Sequence, residues 1–196
     1  PGANENDEFI PVTAHGVKLL SMGLLINESD PVAGRGPLAT RYVQQFLRNV
    51  AWGDVDFLIL DLPPGTGDIQ LTIVQTAELD GVVVVTTPQE VALIDARKAI
   101  GLFERVETPI LGIIENMSYF QCPSDGKIYH IFGEGGGERE AAKLGVPLLG
   151  KIPLDISTRF GGDEGRPVAL EDPGQNPVSA AFRQVAEQCA RVVLDR

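Results

Sequence analysis

Along this chain the spacing of apolar residues switches repeatedly between that of a strand and that of a helix. Short continuous apolar runs predict buried strands, whereas apolar residues three and four positions apart predict amphipathic helices. We predict strands at 17–22, 57–61, 82–87, 110–114 and 147–152, and helices at 37–50, 68–79, 89–106, 138–144 and 177–194. Residues 115–137 and 153–176 are polar and rich in Gly, and are predicted as loops.

Strands that alternate with helices of 10 to 18 residues indicate an α/β fold, with a mostly parallel sheet and helices on both faces. The chain has no internal repeat and no long linker, so residues 1–196 are predicted to form a single domain. The apolar positions of the long helix 89–106 that are predicted to face the core are Val91, Ile94, Ala99, Leu102 and Phe103.

The composition limits the classes of function. A chain of 196 residues with 43% hydrophobic residues can bury a sizeable core, and its longest apolar runs are too short to span a membrane. The net charge of −11 disfavours general binding to nucleic acid or to anionic lipid. Two distant cysteines give no disulfide framework, which favours a cytoplasmic protein whose thiols stay reduced.

The segment after the predicted strand 57–61 has the features of a nucleotide switch. Asp61 would emerge at the carboxyl end of that strand, where a carboxylate can hold Mg²⁺ through water. Pro63 and Pro64 stiffen the following turn, and Gly65 would let a backbone N–H approach a terminal phosphate. The alternative is an ordinary strand that ends in an Asp-Pro turn.

A phosphate-binding loop, Gly-x-x-x-x-Gly-Lys-Ser/Thr, does not occur in the sequence. The Gly-Lys pairs at 126–127 and 150–151 are each followed by Ile, and the sequence begins with Pro1 rather than Met. We therefore expect the first strand, the phosphate loop and the first helix of the domain to lie upstream of Pro1.

Several segments occur in the order found in one known family and cover nearly the whole chain. They include Asp-Leu-Pro-Pro-Gly-Thr-Gly-Asp at 61–68, Thr-Pro-Gln-Glu-Val-Ala at 87–92 and Glu-Asn-Met-Ser-Tyr-Phe at 115–120, with further matches at 12–23, 35–37, 51–53, 95–97 and 132–137. In these segments the chain resembles the Mrp/ApbC family of iron–sulfur cluster carrier ATPases, which belongs to the MinD/ParA group of P-loop ATPases with a deviant phosphate loop. The resemblance implies the P-loop NTPase fold.

The resemblance also implies an ATP-driven carrier cycle. ATP binding and Mg²⁺-dependent hydrolysis would switch the loop 61–68 and couple to binding or transfer of a [4Fe–4S] cluster by a homodimer that serves apo iron–sulfur proteins and assembly scaffolds. Hydrolysis is expected of the complete protein, because this chain lacks the lysine of the phosphate loop. The alternatives are a positioning ATPase for cell division or chromosome partitioning, and a truncated chain without ATPase activity.

Three residues are implied on the adenine side of the nucleotide. Asn116 follows the strand 110–114, and its amide offers both a donor and an acceptor to adenine. Pro153 and Asp155 follow the strand 147–152 and resemble the second adenine-side loop of the family. The alternatives are that Asn116 caps a turn, and that Pro153 and Asp155 only end a strand.

In the family a Cys-x-x-Cys pair follows the segment that corresponds to 115–120, and two subunits together offer four thiolates to one cluster. This chain has Cys122 but Asp125 at the second position, so a dimer would hold a labile cluster, another metal or none. Otherwise Cys122 is an unligated loop thiol. His130 could complete a mononuclear site with Cys122 and Asp125, or lie at the surface. Cys189 falls on the apolar stripe of the last helix and is predicted to pack in the core.

Overall fold

A computed structural model describes residues 2–25, 36–63, 65 and 67–195 of the chain. The chain divides into two compact units, Pro1–Glu78 and Leu79–Arg196, and we describe each by itself. That residues 1–196 form one domain stays a prediction. In the described residues, no helix combines the length and the apolar character that a membrane span requires.

The first unit contains a small hairpin and two helices. Strands β1 (Val12–Ala14) and β2 (Val17–Leu19) pair antiparallel around a turn. Helices α1 (Gly36–Arg48) and α2 (Asp68–Thr76) contact each other. Both predicted helices are therefore confirmed to within three residues at each end, but the strand predicted at 17–22 is shorter and belongs to this hairpin instead of a parallel sheet.

The prediction of a strand at 57–61 was wrong. These residues belong to no strand, and no described strand pairs with them. Phe57 and Leu58 are about half exposed, and the exposed fraction of Ile59 is 87%. An apolar run becomes a buried strand only where neighbouring strands bond its backbone and cover its side chains. Asp61 therefore does not lie at the end of a strand.

The second unit is an α/β structure. In chain order it contains β3 (Val82–Thr86), α3 (Glu90–Arg105), β4 (Ile110–Glu115), β5 (Phe120–Gln121), β6 (Ile128–Tyr129), α4 (Gly136–Leu144), β7 (Leu148–Lys151), α5 (Ile156–Asp163), a 3₁₀ turn (Val168–Leu170) and α6 (Pro177–Leu194). Strands β3, β4 and β7 form a parallel sheet in that order. This architecture confirms the predicted α/β class.

The core of the second unit lies between the sheet and two of its helices. Val84 of β3 and Ile113 of β4 pack with Ile100 of α3 and Ala141 of α4, and Ile113 is completely buried. Helix α6 packs on β7 and β4. At Gly150 of β7 a Cβ would lie 2.5 Å from a methyl group of Val185, so a larger residue there would push α6 away from the sheet.

Two details of the second unit differ from the sequence prediction. Helix α5 lies inside the stretch 153–176, which was predicted as a loop. In α3 the buried side chains are Leu93, Ile100 and Phe103, whereas Val91 and Ile94 are exposed. The predicted face of α3 was therefore correct only in part.

Candidate functional site

The carboxyl ends of the three parallel strands meet at one edge of the sheet. Thr86 of β3 is in register with Glu115 of β4, and Glu115 with Lys151 of β7. Ligands of open α/β sheets bind beyond this edge. The predicted residue Asn116 directly follows β4, and Pro153 lies two residues after the end of β7, so both belong to the loops at this edge.

The turn that follows β4 is fixed at both ends by backbone hydrogen bonds. The N–H of Asn116 donates to the carbonyl of Thr86 at 2.7 Å, and the N–H of Ser118 donates to the carbonyl of Ile152 at 3.0 Å. Between them Met117 has a φ of 52°, in the left-handed region that few residues other than Gly adopt. The turn is therefore held in one strained conformation.

The side chain of Asn116 is half-buried, and its Oδ1 accepts a hydrogen bond from the N–H of Met117 at 3.0 Å. This bond is the turn-capping role that the sequence left open. Within the described part of the chain, the Nδ2 group donates to no other residue. Asn116 thus caps the turn with its oxygen.

The loop after β7 lies against the segment that follows Asn116. The N–H of Leu154 donates to the carbonyl of Tyr119 at 2.7 Å, and Leu154 forms a parallel β-bridge with Phe120. The structure therefore brings together the two segments that carry Asn116, Pro153 and Asp155.

Asp155 caps the amino terminus of α5. Its Oδ2 accepts hydrogen bonds from the backbone N–H of Thr158 at 2.7 Å, from the Thr158 hydroxyl at 3.0 Å and from the Ser157 hydroxyl. Burial raises the pKa of Asp155, but these hydrogen bonds outweigh it, so the pKa lies below its ordinary value. All three bonds converge on Oδ2, and a helix cap is the main structural role of this carboxylate.

Glu115 lies at the centre of this edge and was not predicted as a site residue. Its exposed fraction is 0%. One oxygen, Oε2, accepts a hydrogen bond from the N–H of Gly137 at 2.7 Å, and Oε1 accepts one from the hydroxyl of Ser118. The signal in the sequence is an acidic residue that ends the apolar run Ile-Leu-Gly-Ile-Ile and directly precedes Asn116.

Cys122 lies in the loop of the β5–β6 hairpin. Its backbone N–H donates to the carbonyl of Lys127 at 2.9 Å, and its carbonyl accepts from the N–H of Gly126 at 2.8 Å. The thiol is half-buried, with Sγ 3.0 Å from the Ser124 hydroxyl. The hydrogen bond from Ser124 lowers the pKa of Cys122 below its ordinary value, which favours the thiolate that binds metals.

Asp125, at the position of the second family cysteine, is tied to its own loop. Its Oδ1 accepts from the N–H of Lys127 at 3.0 Å, and its Oδ2 is 3.6 Å from Nζ of the same lysine. The bond from the Lys127 N–H is the main reason that the pKa of Asp125 is lowered. A charged carboxylate therefore lies beside the Cys122 thiol.

The alternative in which Cys122, Asp125 and His130 form a mononuclear metal site was wrong. Among residues 2–25, 36–63, 65 and 67–195, no three His, Cys, Asp or Glu side chains form a group that could hold a metal ion. Instead, Nδ1 of His130 is 3.4 Å from the Ser118 carbonyl, and its Nε2 is 3.7 Å from Glu134. The hairpin of one chain offers a single thiolate.

The other cysteine and the Gly-rich segment have structural roles. Cys189 is half-buried on α6, and burial raises the pKa of its thiol. Gly135, with a φ of 64°, is the N-cap residue of α4. A Cβ on Gly136 would lie 2.6 Å from the Pro88 carbonyl oxygen, so this glycine allows α4 to begin against the loop after β3. The segment 133–137 is therefore the entry of a helix.

The predicted switch residues belong to the first unit. Asp61 is exposed, and Gly65 has a φ of 98°, which a residue with a side chain would adopt only with strain. Pro64 lies outside the described residues. The buried Gln70 of α2, which the sequence did not single out, donates from Nε2 to the Pro63 carbonyl at 2.8 Å. This bond ties the loop to the helix that follows it.

Known proteins resemble this chain over most of its length. An iron–sulfur cluster carrier protein of Deinococcus radiodurans is 48% identical over 190 residues, which are 96% of this chain and 53% of the relative. A nucleotide-binding protein of Archaeoglobus fulgidus, solved in complex with ADP, is 37% identical with a TM-score of 0.70 over 84% of this chain and 64% of that chain. The septum site-determining protein MinD of Pyrococcus horikoshii, complexed with Mg-ADP, is 25% identical with a TM-score of 0.54, over 76% of this chain and 54% of that chain.

These comparisons confirm the predicted fold and family. The chain spans between 51% and 66% of the length of the curated relatives that it matches. The model of the ParA-type family described as "NUBPL iron-transfer P-loop NTPase" matches residues 2–190. This chain belongs to the NUBPL family of iron-transfer P-loop NTPases.

Proposed function

We propose that this chain forms part of an ATP-driven carrier that binds and transfers an iron–sulfur cluster. The observation that carries the proposal is the short connection between two kinds of site in the second unit. Phe120 pairs with Leu154 of the adenine-side loop and with Tyr129 of the hairpin that holds Cys122. A nucleotide bound at Asn116 and Pro153 would thus act on the backbone that presents the thiol.

In this proposal the cluster is the cargo and Cys122 is its protein ligand. The lowered pKa and partial exposure of the thiol suit a metal ligand that must accept and release its cargo. One chain offers a single thiolate, so a [4Fe–4S] cluster would bridge the Cys122 residues of two copies in a homodimer. Asp125 is a harder ligand than cysteine, and a cluster held partly by it would be more labile.

Six residues are proposed to bind the nucleotide. Asn116, Pro153 and Asp155 are proposed on the adenine side, and Asp61, Pro64 and Gly65 at the phosphates. The left-handed φ of Gly65 supports a loop whose bare backbone can approach a phosphate.

A Mg²⁺ ion fits the donors of this loop. Mg²⁺ is typically bound by one or two carboxylates together with phosphates and water, and the exposed carboxylate of Asp61 is such a donor. When bound, the ion would neutralise charge on the phosphates. Asp61 would hold it through water, and the tie between Gln70 and Pro63 would transmit a change in this loop to α2.

The proposed partners are apo iron–sulfur proteins and assembly scaffolds, and the proposed compartment is the cytoplasm. Both cysteines are free thiols, in keeping with a reducing environment. The match to an iron-transfer family model supports the carrier over a positioning ATPase of the MinD type, for which the likeness is weaker at 25% identity.

Reconstitution with iron and sulfide tests the cluster site. We expect the purified chain to bind iron and sulfide, the Cys122→Ser variant to lose them, and the Cys189→Ser variant to keep them. Cys189→Ser is a matched control because it removes the only other cysteine, which lies on α6 and is not a predicted ligand. Iron and sulfide per chain, with the visible absorption of the cluster, are the measurements.

A further variant tests the role of position 125. Asp125→Cys restores the cysteine pair of the family and should slow the loss of iron to a chelator, because two copies would then supply four thiolates. Full retention of iron and sulfide in Cys122→Ser would place the cluster elsewhere. Equal loss in both serine variants would mean that binding is not specific to the hairpin.

A further inference from the structure

Glu115 is a fully buried carboxylate of the second unit to which the proposed reaction assigns no role. It is 0% exposed, and both of its oxygens accept hydrogen bonds from other parts of the unit. Burying a carboxylate is unfavourable unless strong donors compensate for the lost water. An apolar side chain could fill the same volume, so packing alone does not explain a carboxylate at this position.

The two donors belong to segments that are far apart in the sequence. Ser118 lies in the turn that begins at Asn116, and Gly137 lies in the first turn of α4. A Cβ on Gly137 would come within 3.0 Å of the Glu115 Cβ and 3.2 Å of its Oε2. The absence of a side chain at Gly137 therefore lets its N–H reach the carboxylate, and Glu115 links the turn to a helix that packs in the core.

This link acts on the strained part of the turn. Met117 is in the left-handed region, and in this turn its N–H donates a hydrogen bond to Asn116 Oδ1. If Ser118 were released from Glu115, the turn could relax to a less strained backbone. The amide of Asn116 would then lose the bond that fixes its rotamer.

Fixing this amide matters for the choice of base. An amide pairs with adenine through an acceptor nitrogen and the N6 amino group, but it pairs equally well with O6 and N1–H of guanine once the amide has turned over and its oxygen and NH₂ group have changed places. Only an amide that cannot turn over distinguishes the two purines. We propose that Glu115 is a positioning residue that holds the Asn116 turn and so gives the nucleotide site its selectivity for adenine over guanine.

This inference rests on the proposed nucleotide site, and the experiment separates the two. The dissociation constants of ADP and GDP are measured for the protein at its full native length and for two variants. In Glu115→Gln, the amide oxygen can still accept from the Gly137 N–H, but the NH₂ group can only donate, so the bond with the Ser118 hydroxyl must reverse its direction and is no longer made to a charged group. Ser118→Ala removes only the tie within the turn. Glu187→Gln, an exposed position on α6, is the matched control.

We expect the unaltered protein to prefer ADP, and the preference over GDP to fall about tenfold in Glu115→Gln and in Ser118→Ala, the effect of one lost hydrogen bond to a charged group. The control should keep the full preference. A purely structural role would weaken ADP and GDP by the same factor, and an unchanged ratio would overturn the inference. If the thermal unfolding curve shows that Glu115→Gln does not fold, the ratio in Ser118→Ala decides.

ADP binding by the unaltered protein tests the proposed nucleotide site itself. Failure to bind ADP would overturn the proposed nucleotide site and this inference with it. Preference for ADP with an unchanged ratio in the variants would overturn the role of Glu115 alone.

Discussion

The two cysteines show how far the surroundings decide the chemistry of one residue type. Cys122 lies in a loop where the Ser124 hydroxyl bonds to its sulfur, and this lowers its pKa. Cys189 lies half-buried on α6, where burial raises its pKa. Because the thiolate is the reactive form, the two thiols should differ in reactivity although neither forms a disulfide.

The pH dependence of alkylation tests this difference. A lowered pKa means that the thiolate forms at lower pH, so the rate of Cys122 alkylation by iodoacetamide should rise at a lower pH than that of Cys189. In Ser124→Ala the Cys122 profile should move to higher pH, because the hydrogen bond that favours the thiolate is lost. Peptide mass spectrometry after timed alkylation gives both rates, with Cys189 as the internal control. Profiles that coincide in the unaltered chain would contradict the assignment.

Single residues also explain what the sequence could and could not indicate about the site. Asn116 and Cys122 were predicted as site residues because each belongs to a short recognisable motif. Glu115 was missed because the hydrogen bond that compensates for its burial comes from Gly137, which is 22 residues further along the chain. A carboxylate at the end of an apolar run looks like the start of a loop until the donor that buries it is known.

At the scale of elements, local patterns predicted most helices and the three strands of the parallel sheet. They failed at 57–61, where the apolar run is typical of a strand but no described neighbour pairs with it. They failed in the opposite sense at α5, where Gly161 and Gly162 disfavour a helix. In both cases the outcome depends on partners outside the pattern: a neighbouring strand in the first, and a capping side chain in the second.

The cap of α5 can be tested directly. Asp155→Ala should destabilise the second unit by about 1 kcal/mol, because the side chain that caps the N–H of Thr158 is removed. Asp155→Asn should cost much less, because asparagine is an equally good N-cap residue. Urea unfolding of both variants gives the comparison. Equal losses would mean that the charge of Asp155, and not its capping oxygen, stabilises the unit.

The stability advantage of Asp155 over alanine should also depend on pH in a definite direction. The folded pKa is lowered, so the part of the advantage that comes from the charge is present above the ordinary value of 3.8 and is lost as the pH falls through the folded pKa. An advantage that grows on acidification would contradict the cap.

At the scale of the whole molecule, charge sets the response to acid, and the chain has 27 acidic residues against 16 basic ones. Protonating exposed carboxylates reduces their mutual repulsion and favours the folded chain. One ion pair within the second unit has the opposite effect. The guanidinium of Arg97 on α3 bonds both oxygens of Glu140 on α4, at 2.6 and 2.9 Å, and Lys143 bonds the same carboxylate at 2.8 Å.

Glu140 should therefore make the second unit sensitive to acid. Its side chain is 6% exposed, and the hydrogen bonds from Arg97 and then Lys143 lower its pKa from 4.5 to about 2. Because the folded pKa is lowered, the stabilisation is complete above pH 4.5 and is lost as the pH falls from there towards 2. Replacement by the neutral isostere glutamine removes this pH-dependent stabilisation.

The comparison of Glu140→Gln with the unaltered chain isolates the stabilisation by Glu140, because the general repulsion between the other carboxylates is nearly the same in both. At pH 7 the variant should be less stable by about 1.5 to 3 kcal/mol, the loss expected for hydrogen bonds to a charged group. The difference should shrink steadily below pH 4.5. Glu104→Gln, an exposed position on α3, should show no such trend. Urea unfolding at a series of pH values measures all three proteins, and a difference that stays constant down to pH 2.5 would mean that Glu140 contributes through packing and not through its charge.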